Sequence, residues 1–216
     1  MAEGYAAFLA DAGTVRGLIG PREVPRLWDR HILNCAVLAD LVPQGATLCD
    51  IGSGAGLPGL VVAIRRPDVA VTLVEPLLRR TTFLEEAVAS LGLENVRVVR
   101  ARAEEVHGTM EFDVVTSRAV AALDKLLGWS LPLCRPGGQV LAMKGESAQA
   151  EVEEAATVLR RYGASNVDVV RVGEGVVDIP TTVVRVVTGP GARVGLSPAR
   201  ERSGKRGARS GKQRRS

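Results

Sequence analysis

The spacing of apolar positions changes near residue 45. Before it, apolar side chains recur at helical intervals: residues 3–19 read as one helix with an apolar face of Phe8, Leu9, Val15 and Leu18, and residues 24–42 as a second with Leu27, Trp28, Ile32, Cys35, Leu38 and Ala39. After it, short apolar runs near 46–51, 69–74, 95–100, 112–116 and 138–143 alternate with helical patterns near 57–66, 77–91, 121–128 and 147–161. Short apolar runs between amphipathic segments are what strands buried on both faces look like. The alternation therefore predicts an α/β domain with a mostly parallel sheet. Two further runs, Asn166 to Val172 and Thr181 to Val187, have no helical pattern between them and predict an antiparallel pair at one edge. The expectation is about seven strands preceded by N-terminal helices, without an internal repeat.

The junction of the first strand and its helix carries the most specific chemistry. Asp50-Ile51-Gly52-Ser53-Gly54-Ala55-Gly56 follows the apolar run Ala46-Thr47-Leu48-Cys49 and leads into Leu57-Pro58-Gly59-Leu60. Strand, glycine turn and helix is the context in which a backbone loop holds a nucleotide-like ligand, because glycines bend tightly and admit a ligand without Cβ clashes. Pro58 suits a first helical turn. A dinucleotide fingerprint needs G-x-G-x-x-G, and here Leu57 stands where the third glycine belongs, which speaks against a nicotinamide dehydrogenase. The run looks instead like the first motif of class I S-adenosylmethionine-dependent methyltransferases, a Rossmann-like fold. Asp50 would then hold the amino-acid end of the cofactor, directly or through water. The second strand ends in Glu75, about 20 positions after the glycines, where a carboxylate can accept hydrogen bonds from both ribose hydroxyls.

Composition sets bounds around that site. The chain has 216 residues, 46% hydrophobic and only 3% aromatic, so Val, Leu and Ala must build one ordinary core. No apolar run reaches transmembrane length and the N-terminus lacks the pattern of a signal peptide, so a cytoplasmic protein without a membrane partner is expected. Cys35, Cys49 and Cys134 fit neither a zinc pattern nor a disulfide framework, and no metal is expected. The net charge of +4 conceals an asymmetry: from Gly189 to Ser216 there are nine Lys and Arg against one acidic residue, while the remainder is net acidic. The expected organisation is a helical extension at 1–44 packed on the core, a methyltransferase core at 45–188, and a basic, disordered tail at 189–216 suited to phosphate neutralisation.

In an open α/β sheet the other site residues should follow the carboxyl ends of the strands. Ala103 and Glu104, after the third strand, lie where this fold contacts the adenine. After the fourth comes Ser117-Arg118-Ala119, and after the fifth Met143-Lys144-Gly145. Neither an Asn-Pro-Pro-aromatic motif for exocyclic amines nor a Pro-Cys pair for pyrimidine C5 is present, and Cys134 reads as a core residue. An acceptor that is already nucleophilic fits better. Guanine N7 has a free lone pair, so catalysis would be mainly alignment. Arg118 can touch the cofactor or the guanine edge, Lys144 can hold an RNA phosphate, and both are candidates for positioning the reactants. Arg26, Arg30 and His31 on the second helix are candidate RNA contacts near the cofactor mouth.

Together these residues resemble one family, the bacterial small-subunit ribosomal RNA guanine-N7 methyltransferases of type G, also called glucose-inhibited division protein B. The resemblance rests on Arg30-His31-Ile32, the run from Asp50 to Gly59, Arg79-Arg80 with Phe83-Leu84, Ser117-Arg118-Ala119, and Lys144-Gly145, in order over about residues 30 to 145. It implies a class I fold, S-adenosylmethionine as cofactor, and N7 methylation of a guanosine in the decoding-region hairpin of 16S rRNA, free or in an assembling small subunit. By position, Gly52, Leu57, Ala103, Glu104 and Arg118 match the family's cofactor-binding residues, with Gly54 and Gly56 in the same loop. The family commonly has Asp-Ser where this chain has Asn34-Cys35, and the basic tail is outside the shared pattern. Two other readings stay open at this point: a class I methyltransferase for a small molecule or protein, and a non-catalytic ribosome-assembly factor on the same scaffold.

Overall fold

A computed structural model describes residues 1–190. The basic tail expected at 189–216 lies outside the described residues from 191 onward. The apolar runs form β1 (Thr47–Ile51), β2 (Ala70–Val74), β3 (Val96–Val99), β4 (Phe112–Arg118), β5 (Cys134–Lys144), β6 (Ala164–Val172) and β7 (Thr181–Thr188). They make one sheet in the order β3-β2-β1-β4-β5-β7-β6. β1 to β5 are parallel, with Cys49 opposite both Thr72 and Val115. β7 runs antiparallel to β5 and pairs antiparallel with β6, as the missing helix between them predicts. The strand order reverses between β1 and β4, and that switch point opens a crevice at the carboxyl edge of the sheet.

Period-2 alternation sorts the strand residues into two cores. Leu48, Leu73, Val114, Leu141 and Val183 face the N-terminal helical segments, α3 (Gly59–Arg65) and α4 (Leu78–Leu91). Their neighbours Cys49, Val74, Val115, Ala142 and Val184 face α5 (Leu123–Ser130), α6 (Ala148–Glu154) and α7 (Ala156–Arg161). Both faces are covered, so each central strand reads as an unbroken apolar run. All three cysteines are buried and free, Cys134 in the second core. No helix among the described residues is long and apolar enough to cross a membrane.

The N-terminal segments are helical where expected but not regular α-helices. α1 (Ala2–Phe8) passes into a π-helical turn at Leu9–Gly13. The second segment runs through a 3-10 stretch at Pro21–Arg26, a π turn at Leu27–Ile32, α2 (Leu33–Ala36) and a 3-10 turn at Val37–Leu41. A π turn adds a residue to the helical repeat, so the apolar face shifts phase. Val15 and Trp28, expected on buried faces, are 83% and 40% exposed, while Leu27 and Ile32, five positions apart, are both buried. Tyr5 and Leu9 join Leu60, Leu73 and Phe83 in the first core, so the N-terminal segment and the sheet share it.

Candidate active site

β1 to β5 point the same way, so their carboxyl ends bring the glycine loop, Glu75, Ala103, Glu104, Arg118 and Lys144 to one edge. The loop leaves β1 with the Gly52 N–H donating to the Val74 carbonyl (2.8 Å) and turns through Gly52, Gly54 and Gly56 at φ of 67°, 58° and 95°. Such angles favour glycine. At Gly56 space forbids a side chain as well: a Cβ would meet Leu60 Cδ1 at 2.4 Å and the Tyr5 hydroxyl at 3.0 Å. Leu57 precedes a cis bond to Pro58, and Pro58 stands at the cap, one residue before α3 begins.

Two buried carboxylates brace this turn. Asp50 is 1% exposed; its Oδ2 accepts the Gly59 N–H (3.0 Å) and its Oδ1 has no partner. Burial pushes the Asp50 carboxyl up to about 7, against the opposing pull of the Gly59 N–H. An orphaned acceptor on a carboxylate poised near neutrality fits a cationic donor, and the ammonium at the amino-acid end of S-adenosylmethionine is one. Glu75 accepts the N–H groups of Gly54 and Leu77 (3.0 Å each), with Arg80 Nη1 at 3.6 Å. A carboxylate has about four acceptor positions, so capacity for two ribose hydroxyls remains.

Three cavities lie in a row along the edge. The first, about 220 Å³, has apolar walls that include Val74, Val120 and Trp129 and a rim of Ala103 and Glu104. Glu105, not Glu104, closes the local turn by accepting the Arg102 N–H (2.8 Å). The second, about 270 Å³, is lined by Gly52, Gly54, Leu57, His31, Arg80 and Arg118. Gly52 belongs to both. The third, about 540 Å³, shares Arg118 and Ala119 with the second and extends past Arg30, Lys144 and Arg171 to Thr181. Ala119 has φ of 53°, a left-handed conformation that costs a non-glycine residue roughly 1–3 kcal/mol. That turn ends β4 at the wall between the second and third cavities.

Arg118 is held from the N-terminal segment. Its guanidinium donates to His31 Nδ1, to the Arg30 carbonyl (3.4 Å) and to Cys35 Sγ (3.4 Å). Burial pushes the Cys35 thiol up to about 11, so it stays neutral. On its other side His31 meets Glu23 Oε2 at 2.8 Å. Burial holds the imidazole below its ordinary range, Glu23 opposes this, and Arg118 adds to it. Arg30 lies 3.7 Å from Glu23, and Arg26 is exposed. Lys144 lines the third cavity, but its ammonium is 2.7 Å from both Glu151 and the Ala121 carbonyl, with 10% of the side chain exposed. Glu151 also accepts the Leu123 N–H and the Ser147 hydroxyl, so Lys144 latches β5 to the starts of α5 and α6.

Several residues at this edge escape a reading of the sequence. Tyr5 donates to the Ala55 carbonyl from fifty positions away (2.8 Å). Glu23 resembles any solvated helix acid. Arg171, beside Glu174 at 3.3 Å, reaches the third cavity from β6, a strand whose place next to β7 only the topology reveals.

Solved structures with this fold include methyltransferases. An S-adenosylmethionine-dependent O-methyltransferase from Thermotoga maritima superposes with a TM-score of 0.56 at 15% identity, over 77% of this chain and 70% of its own. A methyltransferase from Pyrococcus furiosus does so at 0.55 and 16%, over 73% and 83%. At such identities the likeness is one of fold. Sequence similarity goes further. A protein named ribosomal RNA small subunit methyltransferase G from Thermobifida fusca is 60% identical over 203 residues, 94% of this chain and 86% of that protein. Its namesake from a Nocardioides species is 57% identical over 206 residues, 94% and 82%. The family model described as rRNA small subunit methyltransferase G matches residues 1–179, taking in the N-terminal helices, the glycine loop and the Arg118 turn, and the chain therefore belongs to that family.

Proposed function

We propose that this chain methylates N7 of a guanosine in the decoding-region hairpin of 16S rRNA. Membership of the family makes it an S-adenosylmethionine-dependent rRNA methyltransferase. The observation that carries the finer reading is the row of three cavities joined through Gly52 and then through Arg118 and Ala119. The apolar first cavity suits a flat base, with Ala103 and Glu104 at its rim. Glu75 suits the ribose. Asp50 and the backbone of Gly52, Gly54 and Gly56 suit the amino-acid end, and Leu57 closes that side. The cofactor supplies an electrophilic methyl group on a sulfonium.

The third cavity is open and bordered by Arg30, Arg118 and Arg171, which suits a base carried on a phosphate backbone. Guanine N7 needs no general base, and no cysteine among the described residues is a ready nucleophile: Cys35, Cys49 and Cys134 are all buried, and burial pushes their thiols up. The chain's work is then to orient the reactants and exclude water. Arg118, at the shared wall, and Lys144, through its latch under the third cavity, position the acceptor. Arg26, Arg30 and His31 lie on the RNA side, with exposed Trp28 offering a face on which a base can stack. The substrate is the small-subunit RNA, free or in an assembling particle, and the enzyme works with it in the cytoplasm.

The test is methyl transfer from labelled S-adenosylmethionine to ribosomal RNA from cells lacking this gene, mapped by chemical cleavage at 7-methylguanosine. One cleavage in the decoding-region hairpin supports the proposal. Transfer without that cleavage refutes the atom or the position. No transfer to RNA or to small subunits, despite cofactor binding, refutes the acceptor.

A further inference from the structure

We infer that Glu23 is a positioning residue for methyl transfer: by accepting a hydrogen bond from His31 Nε2 it fixes the imidazole in the tautomer and orientation that hold the Arg118 guanidinium between the cofactor and acceptor cavities. The inference rests on the function proposed above for the site, but its geometry stands independently.

An arginine side chain has five N–H donors and no acceptor. Arg118 Nη2 meets His31 Nδ1, so that nitrogen must present its lone pair. The ring proton therefore sits on Nε2, and Glu23 Oε2, 2.8 Å away, accepts it. One carboxylate thus sets which nitrogen faces the arginine and stops the ring from turning. The order carboxylate, imidazole, reacting-site group is how buried histidines are held in one tautomer at many sites, and the nitrogen facing the site is decided by the bond the other one makes. Here the group at the end of the chain is a cation that touches both cavities.

A second proton on His31 would undo the arrangement. Nδ1 would become a donor facing a donor, and two cations would meet across a hydrogen-bond distance. The charged groups around the imidazole are Glu23 from the 3-10 stretch, Arg30 beside it on the same turn, Arg118 from the end of β4, and Arg80 from α4 across the shared cavity. Only Glu23 favours the second proton. Glu23 therefore fixes the neutral tautomer and also raises the pH at which that tautomer is lost, against the larger opposing effect of burial.

The test uses the full chain and three variants. The sequence holds two histidines, His31 and His107, so ring ¹⁵N shifts assigned with a His107→Gln variant report the tautomer of His31 directly. The wild type and Glu23→Gln should show the Nε2–H form, because the amide oxygen still accepts, and Glu23→Ala should show a mixture. In single-turnover methylation Glu23→Ala should lose about ten- to a hundredfold in rate with little change in melting temperature. Glu23→Gln should recover most of that rate, with its acid limb moved to lower pH, because the carboxylate's pull on the second proton is gone. A merely structural acid would not move the limb. An Nδ1–H tautomer in the wild type, or a Glu23→Ala enzyme with full rate and an unmoved limb, overturns the inference. If no RNA is methylated at all, the proposed function fails, and the tautomer measurement still decides the role of Glu23.

Discussion

Replacing Gly59 by Ala sets two principles against each other, and the structure decides between them. Gly59 opens α3, and alanine is the better helix former by as much as about 1 kcal/mol in a helix interior, less in the first turn. Helix propensity alone predicts a neutral or more stable protein. Gly59 also stands under β1, however. A Cβ would lie 2.4 Å from Leu73 Cδ2, 2.8 Å from Asp50 Oδ2 and 2.9 Å from Asp50 Cβ. Both neighbours are strand side chains with no room to retreat, and overpacking of that kind costs roughly 1–3 kcal/mol. The displacement also stretches the Gly59 N–H bond to Asp50, the one donor to either oxygen of that buried carboxylate among the described residues, which adds about 1–3 kcal/mol. The net expectation is a loss of about 1–6 kcal/mol, at roughly 2–4 °C in melting temperature per kcal/mol for a domain of this size. Gly128 in α5 is the control: a Cβ added there would have nothing within 4 Å, and Gly128→Ala should gain about 0.5–1 kcal/mol. Thermal unfolding followed by circular dichroism reads both. If Gly59→Ala melts at or above the wild type, the close approach of α3 to β1 does not govern the loop, and the bracing role given to Asp50 falls with it.

Gly54→Glu should abolish cofactor binding in calorimetry and cost roughly 1–3 kcal/mol of stability, since a Cβ there meets only the Gly52 carbonyl, at 3.7 Å, but φ of 58° strains any side chain; normal affinity would move the site elsewhere. Asp50 holds a proton in the folded protein that the unfolded chain has released between the ordinary 3.8 and about 7. The cofactor-free protein should therefore lose stability as pH rises through that window, by an amount on the order of 4 kcal/mol at most. Melting curves of Asp50→Asn should lack that part of the slope, and parallel pH profiles would refute it. Lys144→Ala should cost roughly 1–3 kcal/mol of stability by stranding Glu151, yet leave the salt dependence of RNA binding unchanged; a shallower slope would show that Lys144 meets a phosphate. In the same titration Arg26→Ala should lower the slope by about 1, whereas Trp28→Ala should weaken binding at an unchanged slope. Unaltered RNA affinity in both variants would clear that surface of a role.

Much of the fold is legible in the sequence because strands covered on both faces appear as unbroken apolar runs. All seven are found near their predicted places, although β5 starts earlier, at Cys134, through a Pro136-Gly137-Gly138 stretch that no strand pattern suggests. The pairing register shifts there, between Phe112 and Val114. The helix expected at 147–161 breaks at Ala155 into two. Helical phase is legible only while the turn stays regular, and the two π turns move Val15 and Trp28 to the surface. At the site, features that depend on local backbone are readable: three glycines at positive φ, an acid before them, and an acid at the end of the next strand. Features that depend on distant partners are not. His31 and Arg118 are 87 positions apart, and nothing in either neighbourhood names the other. Lys144 looks free in the sequence because its partner Glu151 sits on a helix whose placement only the packing determines.

The hydroxyl of Tyr5 gives the glycine loop an unusual assembly order. It is the earliest-made part of the site, yet it has nothing to bind until Ala55 has been synthesised and β1 has a sheet to join. A ribosome adds those fifty residues over several seconds, at about 5–20 residues per second. During that time α1 carries an apolar face without a core, because Leu60, Leu73 and Phe83 come still later. This helix is thus made before its partners and fitted after them. Its docking closes the back of the loop, so a nascent chain cannot present a finished methyl-donor site before this helix has docked.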